Sequence, residues 1–157
     1  MTKRSPVRWS AGDIFVVPLV DETVAAGQVL DLMMENIVSV ALTGLRGATS
    51  AAIEVDDVTS DRVIAAIATW RNPLDEGRWP IIGHGAVILP RASWPNEQYR
   101  AKGWAGAKHY NTSLVEAFLS AYHGLAPWDA WHEPDYLDKL LMSPEKKPEK
   151  LIFKGGQ

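Results

Sequence analysis

Two histidines occupy positions where a side chain could reach a metal ion. His84 lies between two glycines after an apolar run, and His109 lies beside a long irregular segment. Neutral imidazole and carboxylate groups both suit zinc or manganese, and such an ion could activate water. The spacing of the two histidines matches no established ligand motif, so the alternative is a turn histidine and an exposed loop histidine. The sequence therefore predicts no metal site and no cofactor, with His84 and His109 as the ligands if a metal is bound.

A second group of residues has the composition of a protein-binding surface. Arginine and tryptophan are enriched in interface hot spots, and aromatic residues on loops often serve as anchors. One short stretch of the chain contains both types together with carboxylates. The candidate partner-binding residues are Trp70, Arg71, Asp75, Glu76, Arg78 and Trp79. For each tryptophan, the alternative is that it covers the sheet or fills the end of a small barrel.

A third group is acidic and consists of Glu54, Asp56, Asp57 and Asp61. An acidic patch can steer a basic partner toward a binding site and disfavour other partners. The alternative is an ordinary solvated face. We prefer the mixed patch around Arg78 because it combines charge with aromatic side chains.

Composition argues against several classes of function. No P-loop, dinucleotide-binding glycine pattern, HExxH or GxSxG motif occurs, and the chain has no cysteine. The net charge of −3 provides no basic surplus for a nucleic-acid backbone. No apolar run approaches the roughly 20 residues that cross a bilayer, and no signal-peptide pattern opens the chain. With 157 residues the sequence predicts one domain, residues 1–157, in a cytoplasmic protein with no nucleic-acid or membrane partner.

The elements that would position these residues begin with a β-hairpin at residues 12–30. Pro18 cannot donate to a sheet ladder, so the first strand should lie at an edge or be bulged there. Gly27 suggests a bulge or a close approach of another backbone in the second strand. Further strands are predicted at 36–43, 51–55, 63–70 and 78–82, the last continuing or pairing through 83–89, with loops at 44–50 and 90–106.

Helices are predicted only in the last third of the chain. Asn111 or Thr112 is a good N-cap, apolar residues follow at helical spacing, and Gly124 ends the pattern. A second short helix is predicted at about residues 134–142, and residues 151–153 are expected to add a terminal strand to the sheet. The predicted fold class is α+β, with a strongly bent antiparallel sheet or small, partly open barrel and one or two helices in the C-terminal third.

Three stretches of the sequence resemble the Imm26 family of bacterial immunity proteins. The first is residues 9–30, WSAGDIFVVPLVDETVAAGQVL, which resembles the family's opening strand and its return. The second is residues 68–83, ATWRNPLDEGRWPIIG, which is similar to the loop that precedes a later strand of the family. The third is residues 136–153, YLDKLLMSPEKKPEKLIF, which is similar to the family's C-terminal end.

The resemblance implies a small intracellular protein that accompanies a polymorphic toxin and protects the producing cell by binding it. Occlusion would be steric and electrostatic, through a sheet edge or through aromatic and charged side chains on loops. The family name is also attached to small proteins described as phosphotriesterases, so the alternative is a metal-dependent hydrolase that uses His84 and His109. A third alternative, a nucleic-acid-binding barrel, would require a continuous basic groove.

Overall fold

The computed structural model describes residues 7–154, which contain an open five-stranded antiparallel sheet; residues 1–6 and 155–157 lie outside this range. The strands are β1 (Asp13–Pro18), β2 (Val24–Met34), β3 (Ile37–Gly47), β4 (Val63–Trp70) and β5 (Ile81–His84). Their order across the sheet is β4-β3-β2-β1-β5, and the two outer strands do not pair with each other. The predicted α+β fold is confirmed, with an open sheet and not a barrel.

Two α-helices are present in the described residues, α1 (Asn72–Asp75) and α2 (Thr112–Tyr122). The Asn111 side chain caps α2 by accepting a hydrogen bond from the Leu114 backbone N–H at 2.8 Å. Gly124, with a φ of +74°, lies just beyond its end. Short 3₁₀ turns complete the structure at Ser50–Ala52, Val55–Asp57, Ser60–Arg62, Arg91–Ser93, Glu97–Lys102, Leu137–Leu140 and Pro144–Lys146.

Gly27 lies where the backbones of neighbouring strands come close, as its position in the hairpin predicted. A Cβ atom at this residue would lie 2.7 Å from the Ala41 carbonyl oxygen and 2.8 Å from Cζ of Phe15. The β2–β3 register shifts between Ala25 and Gly27, which marks a bulge. Any larger residue at Gly27 would force the sheet apart.

Pro18 is accommodated by a short neighbouring strand. β1 is an interior strand in the sheet order, but β5 pairs only with Asp13, Ile14 and Phe15. Within the described residues, Pro18 therefore faces a strand on its β2 side alone, which suits a residue without an N–H. The irregularity in the β1–β5 pairing falls between Ile14 and Phe15, so both predictions for the first strand, an edge position and a bulge at Pro18, are wrong.

One face of the sheet, the helix-covered face, packs against the C-terminal third of the chain. α2 contributes Leu114, Val115, Phe118 and Leu119, all of them buried. The Trp128 ring lies 5.8 Å from that of Phe118, between ring centroids. This aromatic and aliphatic layer forms the larger part of the core.

The opposite, loop-covered face packs against 3₁₀ turns and irregular chain. Ile53 and Val58, from the segment between β3 and β4, cluster with Ile14 and Val16. The fully buried Gln28 ties the segment after β5 to the sheet: its Nε2 donates to the Ala86 carbonyl at 2.9 Å, and its Oε1 accepts from the Ile88 N–H at 2.9 Å. Apolar contacts and the buried hydrogen bonds of Gln28 thus hold this layer on the sheet together.

Several predicted boundaries are corrected by the structure. Residues 44–50 were expected to form a loop, but β3 continues to Gly47 because Val24 and Ala25 of β2 pair with its end. The strand expected at 51–55 is replaced by 3₁₀ turns. The strand expected from residue 78 begins at Ile81 and ends at His84.

The C-terminal expectations are also corrected. The second helix, expected at 134–142, is a single 3₁₀ turn at Leu137–Leu140. Ile152 bridges to Pro127, outside the five-stranded sheet, so residues 151–153 do not extend it. The Trp128 N–H donates to the Ile152 carbonyl at 2.7 Å, which fastens the chain end beneath the helix layer instead.

Candidate partner-binding surface

The Arg78 side chain is held by a carboxylate from α2. Its Nε and Nη2 donate to the two oxygens of Glu116, each at 2.6 Å, in a bidentate pair. These hydrogen bonds, together with the charge of Glu116, raise the pKa of the Arg78 guanidinium. The Arg78 side chain is nevertheless 56% exposed. It therefore forms an ordered, partly exposed ion pair with Glu116.

A second arginine–carboxylate pair fastens the α1 turn. Arg71 donates from Nε to Asp75 Oδ2 at 3.0 Å and from Nη2 to Oδ1 at 3.3 Å. Trp9 Nε1 donates to the same Oδ1 at 2.7 Å, and the Arg71 guanidinium lies 4.9 Å from the Trp9 ring centroid. Asp75 and Arg71 are thus largely engaged with each other and with Trp9.

An open cleft of about 470 Å³ lies between β4 and the start of α2. Trp70, 39% exposed, lines it, and the His109 ring packs nearly perpendicular to the Trp70 indole, with 4.9 Å between ring centroids. The remaining lining residues are Asn72, Arg78, Asn111, Thr112, Ser113 and Glu116. We call these residues, with Trp70, the Trp70 cleft. It combines an exposed aromatic ring, a fixed cation and several small polar groups.

The candidate partner-binding residues fall into three groups, and the third consists of Trp79 alone. Trp70 and Arg78 meet in the Trp70 cleft, and Glu76 is exposed in the same turn region. Arg71 and Asp75 are partly buried and fasten α1, as described above.

The prediction that Trp79 belongs to a partner-binding surface is wrong. It is fully buried, its ring is stacked on Phe15 with centroids 5.5 Å apart, and its Nε1 donates to Glu116 Oε2 at 3.0 Å. Its backbone N–H donates to the Pro73 carbonyl at 3.0 Å, which turns it inward before β5 begins. Trp79 is a core residue that supports the surface and does not form it.

Sequence reasoning missed Glu116 as a surface-organising residue. This α2 carboxylate pairs with Arg78, 38 residues away in the chain. No local pattern reveals a pair so far apart. The only available signal was a charge bordering the apolar face of α2, next to the buried Val115.

The two histidines named as alternative metal ligands do not form a metal site with other residues. His84 Nδ1 lies 2.8 Å from Asp13 Oδ1, and His109 packs on Trp70. Across residues 7–154, no group of three or more histidine, cysteine, aspartate or glutamate side chains is arranged to hold a metal ion. The hypothesis of a metal-dependent phosphotriesterase therefore receives no support from the arrangement of these side chains.

The acidic cluster lies on the segment that packs against the loop-covered face. Glu54, Asp56, Asp57 and Asp61 are all exposed. The Thr59 hydroxyl donates to Asp61 and lowers the pKa of that carboxyl. The cluster is thus a solvated acidic surface, separate from the Trp70 cleft.

The fold and surface together define a small α+β protein with a polar cleft that contains an aromatic side chain. The chain belongs to the immunity protein 26 family (Imm26): its family model matches residues 10–106, more than half of the 157 residues. Comparison with curated proteins and with solved structures gave no match. The family's description names an immunity protein and does not support the phosphotriesterase interpretation. Within the residues that the structure describes, no helix has the length and apolar character needed to cross a membrane.

Proposed function

We propose that this protein binds a cognate protein toxin and neutralises it by covering the surface on which the toxin depends. Membership of the immunity protein 26 family is the observation that carries the proposal. The proposed partner is the toxin of a polymorphic toxin system, and the proposed site of action is the cytoplasm of the producing cell.

The Trp70 cleft is the surface that we propose for toxin contact. Trp70 offers a partly exposed aromatic anchor, and Arg78 offers a cation already fixed by Glu116. Side chains held in place before binding lose less conformational freedom when the complex forms. Tryptophan and arginine are also the residue types that most often dominate interface energetics. Glu76, exposed in the same region, supplies a rim charge to this proposed surface.

The experiment that tests the proposal is co-expression of the protein with the toxin encoded by a neighbouring gene. Restored growth of the toxin-producing cells, together with a one-to-one complex of nanomolar or tighter affinity by calorimetry, is the expected result. Toxicity that persists at full expression of the folded protein, with no measurable binding, would contradict it.

Matched variants locate the contact. Trp70→Ala and Arg78→Ala are expected to weaken toxin binding by about tenfold or more each, as hot-spot truncations do. The controls are Val20→Ser and Arg62→Ala, which change exposed residues outside the Trp70 cleft. Equal affinities for test and control variants would remove the Trp70 cleft from the proposed interface while leaving toxin binding itself intact.

A further inference from the structure

The outer edge of the sheet at β4 has a defined hydrogen-bonding pattern. At the end of this strand, the Arg71 N–H donates to the Asn36 carbonyl at 3.0 Å, toward β3. Successive strand residues direct their backbone N–H and C=O groups to opposite sides of the strand. Odd-numbered residues of β4 therefore face β3, whereas Ile64, Ala66 and Ala68 direct their backbone groups away from the sheet.

The two ends of this outward row are occupied. The Met142 N–H donates to the Ile64 carbonyl at 2.7 Å, and the Tyr110 N–H donates to the Ala68 carbonyl at 2.9 Å. Between them, the N–H and C=O of Ala66 make no hydrogen bond to any residue in 7–154. The part of the chain that contains Tyr110 and Met142 thus covers both ends of the β4 edge. Between them, within the described part of the chain, Ala66 keeps a free backbone donor and a free backbone acceptor.

A cleft of about 300 Å³ opens over this position. Its lining includes Asn96, from the irregular chain after β5, and residues 139–142, from the C-terminal third of the chain. The Asn96 side chain holds the backbone of Lys108 in place. Its Nδ2 donates to the Lys108 carbonyl at 2.7 Å, and its Oδ1 accepts from the Lys108 N–H at 2.9 Å. The cleft therefore has walls fixed by hydrogen bonds.

The charge around the cleft has one sign. Lys108 and Lys139 line it, and no carboxylate does. Lys139 pairs with Glu133, which lies outside the lining, whereas Lys108 is exposed and makes no ion pair within the described residues. An acidic side chain that entered the cleft would meet an available cation.

We propose that this cleft receives a short, extended, acidic segment of the protein partner, which pairs with Ala66 as an added β-strand. In antiparallel pairing, one partner residue would exchange two main-chain hydrogen bonds with Ala66, and its neighbouring carboxylate would reach Lys108. The inference rests on the proposed function for the identity of the partner.

The location allows one interface to include both clefts. Ala66 and Trp70 lie four residues apart on β4, about 13 Å along an extended strand. A standard interface of about 800 Å² on each partner covers such a distance. A toxin that docks on the Trp70 cleft can therefore extend a segment along the same strand.

The first test uses isotope-labelled full-length protein and a synthetic probe, so it does not depend on the toxin. The probe is the acetylated and amidated peptide Thr-Val-Glu-Val-Thr, and its control replaces the glutamate with lysine. We expect the glutamate peptide to shift the amide resonances of Ala66 and Ala68 saturably, and the lysine peptide to bind several-fold more weakly. The absence of a shift at Ala66 with either peptide would overturn the proposal. Shifts that depend on protein concentration in the absence of peptide would also overturn it, because they would indicate that two copies of the protein pair at this edge.

The second test measures toxin affinity with variants. Ala66→Pro removes the free N–H at an outward position of an edge strand, where proline is tolerated, and should weaken binding about tenfold. Lys108→Glu should weaken it by a similar factor, whereas the exposed control Lys102→Glu should not. Circular dichroism verifies that each variant is folded. Unchanged toxin affinity in both test variants would overturn the proposed edge site. If the wild-type protein binds no toxin, the proposed function is contradicted, and the peptide titration alone decides whether the edge site exists.

Discussion

The part of the chain that matches the immunity family and the part that follows it have different structural tasks. Residues 10–106 contain all five strands, whereas the residues after 106 contain α2 and the layer that covers one face. Both clefts contain residues of the two parts: Arg78 pairs with Glu116 in one, and Asn96 and residues 139–142 line the other. The family-matched part thus supplies the sheet and about half of the residues that line each cleft. Substitutions in the later part can therefore alter the surface without altering the sheet.

Removing Trp79 should have the largest effect, because this residue joins the two parts. Trp79→Ala deletes a fully buried ring that stacks on Phe15 and donates to Glu116. We expect a loss of about 3–5 kcal/mol in the free energy of unfolding, measured by urea denaturation. Trp70→Ala, at a partly exposed tryptophan, should cost about 1 kcal/mol or less. Similar losses in the two variants would mean that Trp79 does not connect the layers.

Removing Gln28 tests whether the loop-covered face depends on buried hydrogen bonds. Gln28→Ala leaves the Ala86 carbonyl and the Ile88 N–H without their partner, whereas the Gly12 carbonyl keeps its hydrogen bond from the Gly85 N–H. The expected loss is about 2–3 kcal/mol in the free energy of unfolding, since buried polar groups without partners are costly. Hydrogen exchange should also accelerate at Ile88. The exposed control Gln98→Ala should change neither quantity, and a Gln28 variant as stable as the control would contradict this view of the loop-covered face.

His123, at the end of α2, should make the helix-covered face sensitive to acid. Burial lowers the pKa of His123 to about 4 from 6.5, and the charge of Arg46 contributes. Because the unfolded chain takes up the proton near its ordinary pKa and the folded protein resists it, stability falls as the pH drops from 6.5 toward 4. We expect this group to account for about 1–2 kcal/mol, allowing for its partial exposure.

Urea denaturation at pH 7.5 and pH 4.5 measures this effect. His123→Gln should reduce the difference in unfolding free energy between the two pH values. His132→Gln, at an exposed histidine, should leave the difference as in the wild type. If both variants retained the full pH dependence, another group would be responsible.

The smallest expected effects are the coupling free energies of the two arginine–carboxylate pairs. Arg78 and Glu116 link the two parts of the chain, whereas Arg71 and Asp75 lie four residues apart within one part. Double-mutant cycles to alanine should give a coupling of about 1 kcal/mol for the first pair, because its two hydrogen bonds are shorter, at 2.6 Å each against 3.0 and 3.3 Å, and its carboxylate is the less exposed of the two. The second pair should give about 0.3–0.5 kcal/mol. A larger coupling within the second pair would reverse the comparison.

The strands were predictable where the sequence marks both ends of an apolar run. β4 has the predicted bounds because a run of β-branched and small residues ends before Pro73, and the hairpin of β1 and β2 follows from its turn residues and Gly27. The extension of β3 to Gly47 was missed because pairing with β2 outweighed the turn-forming composition of that stretch. Local composition thus predicted most strands but not their irregular ends.

The site was only partly predictable, for a related reason. Composition identified Trp70 and Arg78, which line the same cleft. It could not show that Trp79, next to Arg78 in sequence, points into the core, nor that Glu116 comes from a distant helix to hold Arg78. The free backbone groups of Ala66 depend on what Tyr110 and Met142 cover, which only the three-dimensional arrangement reveals.

The decisive measurement is calorimetric titration of the purified wild-type protein with an inactivated form of its proposed cognate toxin. We expect a one-to-one complex of nanomolar or tighter affinity, weakened about tenfold or more by Trp70→Ala and unaffected by Val20→Ser. The absence of heat of binding for a folded protein and a folded toxin, together with no protection of toxin-producing cells, would contradict it.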